Sequence, residues 1–253
     1  MRIFFGLKKG TLLDLIRGFP RKEPEYPLKI AKKALHHMLL ALTFLESHGI
    51  VHRDIKPANI LFDHVTLQEK GKTLCDPQYM FVLADFGLCN PNPDPRSGGG
   101  THGFCAPELK RGEIQTPKVD IWSLYITILY TMDFKQFRTT FHHIDQFFYQ
   151  EQVDQEVRRV IEDLPPIDIR EMGIRDPRYR ASAIQMLSKL GWPHPPVPDI
   201  PKLVTWEEWE ALREPGGEAA ESLRDVKRKG DSLDEPKPKR LDAELHESGN
   251  IVK

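Results

Sequence analysis

Asp54, Lys56 and Asn59 fall within six residues of one another, inside the run His52-Arg53-Asp54-Ile55-Lys56-Pro57-Ala58-Asn59. A further acid, Asp85, opens the triplet Asp85-Phe86-Gly87. Hard oxygen donors of the kind carried by Asn59 and Asp85 suit Mg²⁺, which is held by one or two side chains together with substrate phosphates. Lys56 can neutralise a phosphate, and the Asp54 carboxylate can accept the proton of a hydroxyl. These are the parts that phosphoryl transfer requires, because that reaction rests on positioning and charge stabilisation.

Elements of regular structure have to hold these groups in place. Leu28, Ala31, Leu35, Met38, Leu42 and Leu45 recur at steps of three and four, which predicts a long amphipathic helix. His48-Gly49 should end it, since glycine accepts the left-handed conformation at a helix terminus. His52–Asn59 then becomes a loop between that helix and a strand over Asn59–Phe62. A second strand over Tyr79–Ala84 delivers Asp85 at its end, and the polar stretch HVTLQEKGKTLCDPQ between the strands reads as a loop. Thr11 is placed to cap a short helix over LLDLIRGF that closes near Gly18. Asp120–Met132 reads as a buried helix, and Arg180–Leu190 as another with Ala183, Met186, Leu187 and Leu190 on one face.

Composition narrows the class of molecule. The 253 residues include 36 Lys+Arg against 37 Asp+Glu, for a formal net charge of −1. A whole-surface electrostatic hold on nucleic acid or an anionic membrane is therefore not expected. Cys75, Cys89 and Cys105 are too few for a disulfide framework. The most apolar run, Ile121–Met132, is too short to span a bilayer, and MRIFFGLKKG lacks the apolar stretch of a secretory signal. An intracellular soluble protein is the expectation. From Trp206 to Lys253 there are 13 acidic and 9 basic residues, so residues 206–253 should form a charged, largely disordered tail behind a domain of residues 1–205. WEEWEALRE is the exception, a short helix able to dock Trp206 and Trp209 on the body, reached through a spacer with five prolines between Gly191 and Lys202. Lys227-Arg228-Lys229 and Lys237-Pro238-Lys239-Arg240 read equally as a two-part nuclear import signal or as solvated charge, which leaves nucleus or cytoplasm open.

The run His52–Asn59 resembles the catalytic loop of eukaryotic protein kinases, and Asp85-Phe86-Gly87 resembles their metal-binding triplet. Gly100-Thr101-His102-Gly103-Phe104-Cys105-Ala106-Pro107-Glu108 is similar to the segment closing the kinase activation loop. Lys118–Ser123 and Asp176–Arg180 resemble two later family segments, and all five follow the family order. The resemblance covers roughly residues 1–190. It implies that Asp54 orients the substrate hydroxyl, Lys56 steadies the transferring phosphoryl group, and Asn59 and Asp85 hold Mg²⁺. Leu61 would floor the adenine of ATP. Thr101 would bond Asp54 and Lys56, Glu108 would pair with Arg180, Asp120 would brace the backbone at His52 and Arg53, and His52 would stack on Phe86. Lys56 followed by Pro57 is similar to serine/threonine kinases, so the implied partner is a protein serine or threonine hydroxyl.

The resemblance also implies departures. No Gly-rich phosphate loop, strand lysine or partner glutamate is found, and Met1–Phe5 already looks like the hinge strand. The implied fold class is a protein kinase-like, α+β and mainly α, large (C-terminal) lobe with short β-hairpins, the small lobe absent. Its upper face would expose apolar surface for a partner to cover, and a binding or scaffold module without turnover is the alternative to an enzyme. The 25 residues between Asn59 and Asp85 imply an insertion in the hairpin, and Tyr125 stands where a glycine is common. Gly98-Gly99-Gly100 reads as a flexible stretch, Cys105 as a small packed residue, and Cys75 as an exposed one without evident purpose. The ten histidines show no metal-ligand spacing with cysteine. Ser97 is the only hydroxyl between Gly87 and Thr101, so its phosphorylated form could pair with Arg53.

Overall fold

A computed structural model describes residues 8–19, 23, 25–65, 68–69, 72–73, 78–89, 99–143, 155, 157, 159–160, 165–197 and 200–213. The chain divides into a unit ending at Trp209 and a second, Glu210–Lys253, of which only 210–213 are described. Among the described residues, the first elements are β1 (Gly10–Thr11), α1 (Leu12–Arg17) and α2 (Tyr26–Ser47). Strands β2 (Ile60–Val65), β3 (Gln68–Glu69), β4 (Lys72–Thr73) and β5 (Gln78–Leu83) follow. The later elements are α3 (Pro107–Lys110), α4 (Lys118–Met132), α5 (Phe137–His143), α6 (Ala183–Lys189) and α7 (Trp206–Arg213).

The apolar stripe of α2 buries Ile30, Ala31, Ala34, Leu35, Met38, Leu39, Leu42 and Leu45. This stripe packs against α4, β5 and α6. Each fully buried aliphatic side chain there contributes about 1.5–3 kcal/mol. Helix α4 is buried from Val119 through Met132. Its hydroxyls are satisfied inside the helix: Ser123, Thr127 and Thr131 each donate to the carbonyl four residues earlier, at 3.1, 2.8 and 2.7 Å. Tyr125 fits into this packing with its hydroxyl buried and without a hydrogen-bond partner among the described residues.

The antiparallel sheet has the order β1-β2-β5. Ile60 pairs with Leu83 and Phe62 with Phe81, and this face lies on the helices. The other face carries Leu61 opposite Val82 and Asp63 opposite Met80, with Val82 and Met80 exposed.

Several boundaries differ from the sequence reading. The strand expected over Asn59–Phe62 is β2, Ile60–Val65, because the ladder continues through Asp63, His64 and Val65, whose backbone groups pair whatever their side chains. Asn59 instead closes a 3₁₀ turn entered through Pro57. The polar stretch after β2 is not all loop, since β3 and β4 pair within it. The helix expected over Arg180–Leu190 is α6 and starts at Ala183, because Ser182 and Gln185 form a reciprocal capping box. Thr11 caps α1 as its spacing predicts, by accepting from the Asp14 amide at 3.2 Å. Trp206 and Trp209 of α7 are buried, with Glu171 accepting from the Trp206 amide at 3.2 Å.

Candidate active site

The loop after α2 is anchored from below by α4. Asp120, in the first turn of α4, accepts from the backbone amides of His52 at 2.7 Å and Arg53 at 2.8 Å. These two bonds hold Arg53 at φ +69°, a conformation that a non-glycine residue adopts only under such constraint. Burial pushes the Asp120 carboxyl up to about 7, against the two amides and the Arg53 charge, which pull it down. The His52 ring is fixed as a neutral tautomer: Nε2 donates to the Ala84 carbonyl at 3.1 Å, and Nδ1 accepts from the Asp54 amide at 3.4 Å. Burial lowers its pKa, which keeps that tautomer in place.

Above this anchor, three side chains converge on Asp54. Lys56 Nζ donates to Asp54 Oδ2 at 2.8 Å and to Thr101 Oγ1 at 2.7 Å. The Thr101 hydroxyl donates to Asp54 Oδ1 at 2.6 Å. Asn59 Nδ2 donates to Oδ2 at 2.9 Å and to the Asp54 carbonyl at 2.8 Å. Burial alone would raise the Asp54 pKa, but the bonds from Lys56, Thr101 and Asn59 and the Lys56 charge outweigh it and hold the carboxyl below its usual range. The carboxylate is thus ionised at neutral pH and the ammonium sits beside it.

Asp85 lies at the edge of this cluster. The Ala84 amide donates to the Asn59 carbonyl at 2.9 Å, so Asp85 follows directly on a residue bonded to Asn59. Asp85 has φ +64°, is exposed, and accepts from the Gly87 amide at 3.4 Å. The neighbouring Phe86 ring meets His52 edge-on at 5.0 Å yet remains 51% exposed. Because the Asn59 amino group is directed at Asp54, its amide oxygen is turned elsewhere. One amide oxygen and one exposed carboxylate suit Mg²⁺, which completes its shell with water and phosphate oxygens. Leu61 shares the outward face of the sheet with Val82 and Met80, on the strand that follows Asn59.

Two further devices stiffen the site. Arg180 and Glu108 form a bidentate buried pair at 2.5 and 3.0 Å, and the Arg180 guanidinium also lies 5.1 Å from the Trp122 ring centroid. Gly100 is not a loose part of a glycine stretch: it has φ +87°, and a Cβ there would meet the Arg53 carbonyl and Cys105 Sγ, each at 2.7 Å. Cys105 is buried with Sγ 3.0 Å from the Thr101 carbonyl, and burial pushes its thiol up to about 11, which suits packing rather than reactivity.

The structure brings Asp54, Lys56, Asn59 and Thr101 into one hydrogen-bonded cluster, with Asp85 and Leu61 on adjoining strand ends. Two contacts had no sequence signal. His37 Nδ1 on α2 accepts from the Phe81 amide at 3.0 Å, tying β5 to the helix, and Lys110 Nζ lies 2.8 Å from His102 Nδ1. The hinge reading of Met1–Phe5, Ser97, Gly98, Cys75 and both basic clusters of the tail lie outside the described residues.

Comparison with known proteins bears directly on this geometry. The family model described as "Protein kinase domain" matches residues 3–190. The chain belongs to the protein kinase family. Calcium/calmodulin-dependent protein kinase type IV of Homo sapiens is 30% identical over 197 residues, covering 70% of this chain and 38% of that protein. Serine/threonine-protein kinase ppk34 of Schizosaccharomyces pombe is 35% identical over 117 residues, 44% of this chain and 29% of the relative. Serine/threonine-protein kinase PAK mbt of Drosophila melanogaster is 29% identical over 200 residues, 72% of this chain and 27% of the relative. The chain therefore spans well under half the length of these relatives. No described helix is long and apolar enough to cross a membrane.

Proposed function

We propose that this chain is the phosphoryl-transferring part of a serine/threonine protein kinase that uses ATP and Mg²⁺ and acts on protein hydroxyls. The observation that carries the reading is the Asp54 cluster: an ionised carboxylate bonded at once to Lys56, Thr101 and Asn59. Asp54 orients the attacking hydroxyl and takes its proton as the new bond forms. Lys56 has donors to spare beyond Asp54 and Thr101, and these stabilise negative charge on the transferring group. Thr101 holds the carboxylate and the ammonium at a fixed spacing. Asn59 and Asp85 would hold Mg²⁺, which when bound neutralises charge on the nucleotide phosphates. Leu61, on the outward face, would support the adenine.

We further infer that the described residues form the large, mainly helical lobe of the kinase fold. The buried helices α2, α4 and α6 with a small sheet above them support this. The domain proposed at residues 1–205 extends on this reading to Trp209, because two buried indoles belong to the same unit, and the remainder is the proposed charged tail. One observation favours a second reading as a binding module. Met80, Val82, Phe86 and Leu88 are exposed beside the site, and apolar surface of that kind suits a protein that covers it. The discriminating experiment offers the chain a serine/threonine peptide library with MgATP labelled at the γ-phosphate. The enzyme reading expects labelled peptide that disappears with Asp54→Asn; the binding reading expects background label from both.

A further inference from the structure

We propose that residues 192–196 form a ready-made ligand for a partner domain of the SH3 kind, whose aromatic-lined groove reads two X-Pro pairs. The proposal is independent of the kinase reading, and the segment starts just past residue 190, where the matched family domain ends. Pro193, Pro195, Pro196, Pro198 and Pro201 crowd this stretch. Each proline fixes its own φ at about −65° and steers the residue before it toward extended or polyproline II backbone. Trp192, His194, Pro195, Val197 and Ile200 all precede prolines. The sequence therefore dictates a left-handed polyproline II run of about three residues per turn. Burial follows that period. Val197, Ile200 and Leu203, at steps of three, pack against the core, and His194 on the same edge is half-buried. Pro193, Pro195 and Pro196 are exposed, and residues 193–197 are neither helix nor strand.

Both ends of the run are tied to α6. Gly191, at φ +64°, closes that helix: its amide donates to the Ser188 carbonyl at 3.1 Å, and the Trp192 amide donates to the Leu187 carbonyl at 3.0 Å. The Trp192 ring also lies 5.0 Å from the His36 ring of α2. Beyond the run, Gln185 Nε2 donates to the Pro201 and Lys202 carbonyls at 2.9 and 3.0 Å. The segment is thus held extended before any partner arrives, which lowers the ordering cost of binding. A three-edged helix laid in a groove presents two edges to it and turns the third away. Here the edge turned away is the one packed on the body. The open edges carry Trp192-Pro193 and Pro195-Pro196, one turn or about 9 Å apart, in the P-x-x-P arrangement that aromatic grooves read. Residues 192–197 include no charged side chain, so the complementary surface is aromatic rather than ionic.

The test uses the whole chain, labelled for fluorescence anisotropy, and a panel of purified SH3 domains, each at a concentration that saturates a reference P-x-x-P peptide. At least one domain should bind, and the reference peptide should displace the chain from it. Pro193→Ala and Pro196→Ala should each weaken that binding by about fivefold or more, the cost of truncating a central contact. His194→Ala, on the edge turned to the body, should leave it within about twofold. Thermal unfolding should fall by no more than about 4 °C in either proline variant, whose removed atoms are exposed. Absence of binding across the panel overturns the proposal. Binding that survives the double proline variant, or a loss with His194→Ala equal to that with Pro193→Ala, overturns it as well.

Discussion

The two halves of the candidate site are built differently. Asp54 and its loop sit on buried structure, with two amides tied to Asp120, a neutral His52 wedged beneath, and three side chains bonded to one carboxylate. Asp85 stands on an exposed turn, with one long bond to Gly87 and apolar neighbours open to solvent. The same sheet and helix carry both, so the difference lies in what covers them. The half proposed to meet the hydroxyl is preorganised within the chain, which would reduce the cost of ordering it during reaction. The half proposed to hold the metal and nucleotide lacks such cover among the described residues.

Removing the anchor should therefore have the largest effect on stability. Asp120→Ala leaves two buried amides without an acceptor, and the expected loss is about 2–5 kcal/mol by chemical denaturation. Gly100→Ala should follow at about 1–3 kcal/mol, since it forces a Cβ against backbone in a left-handed conformation. Acidification should come next. The folded pKa of Asp54 lies below its unfolded value, so its contribution to stability is present above the ordinary carboxylate range and is lost as pH falls through the folded value. Asp54→Asn should flatten that part of the stability–pH curve. The smallest effect belongs to the other half: Asp85→Ala should change stability by no more than about 0.5 kcal/mol while abolishing phosphoryl transfer. A large destabilisation by Asp85→Ala would erase the contrast.

The anchored half was the more legible in the amino-acid sequence. Its residues are close in the chain or lie in ordered motifs, and the α2 stripe that supports them follows a helical period that burial enforces. Strand ends were less legible, because backbone pairing from Asp63 to Val65 does not depend on the side chains that pattern reading uses. Arg180 was read as helical, yet its place is set by a carboxylate 72 positions away. The Lys110–His102 contact and the acceptance of the Phe81 amide by His37 also arise from tertiary proximity, which no local spacing encodes.

The central claim is that the Asp54 cluster performs phosphoryl transfer. The most direct measurement is γ-phosphoryl incorporation from MgATP into serine/threonine peptides by the chain and by Asp54→Asn at equal folded concentration. The account predicts labelled peptide with the native chain and a loss of about 10²- to 10⁴-fold in the variant. Equal incorporation by both proteins, or none by the native chain, would contradict it.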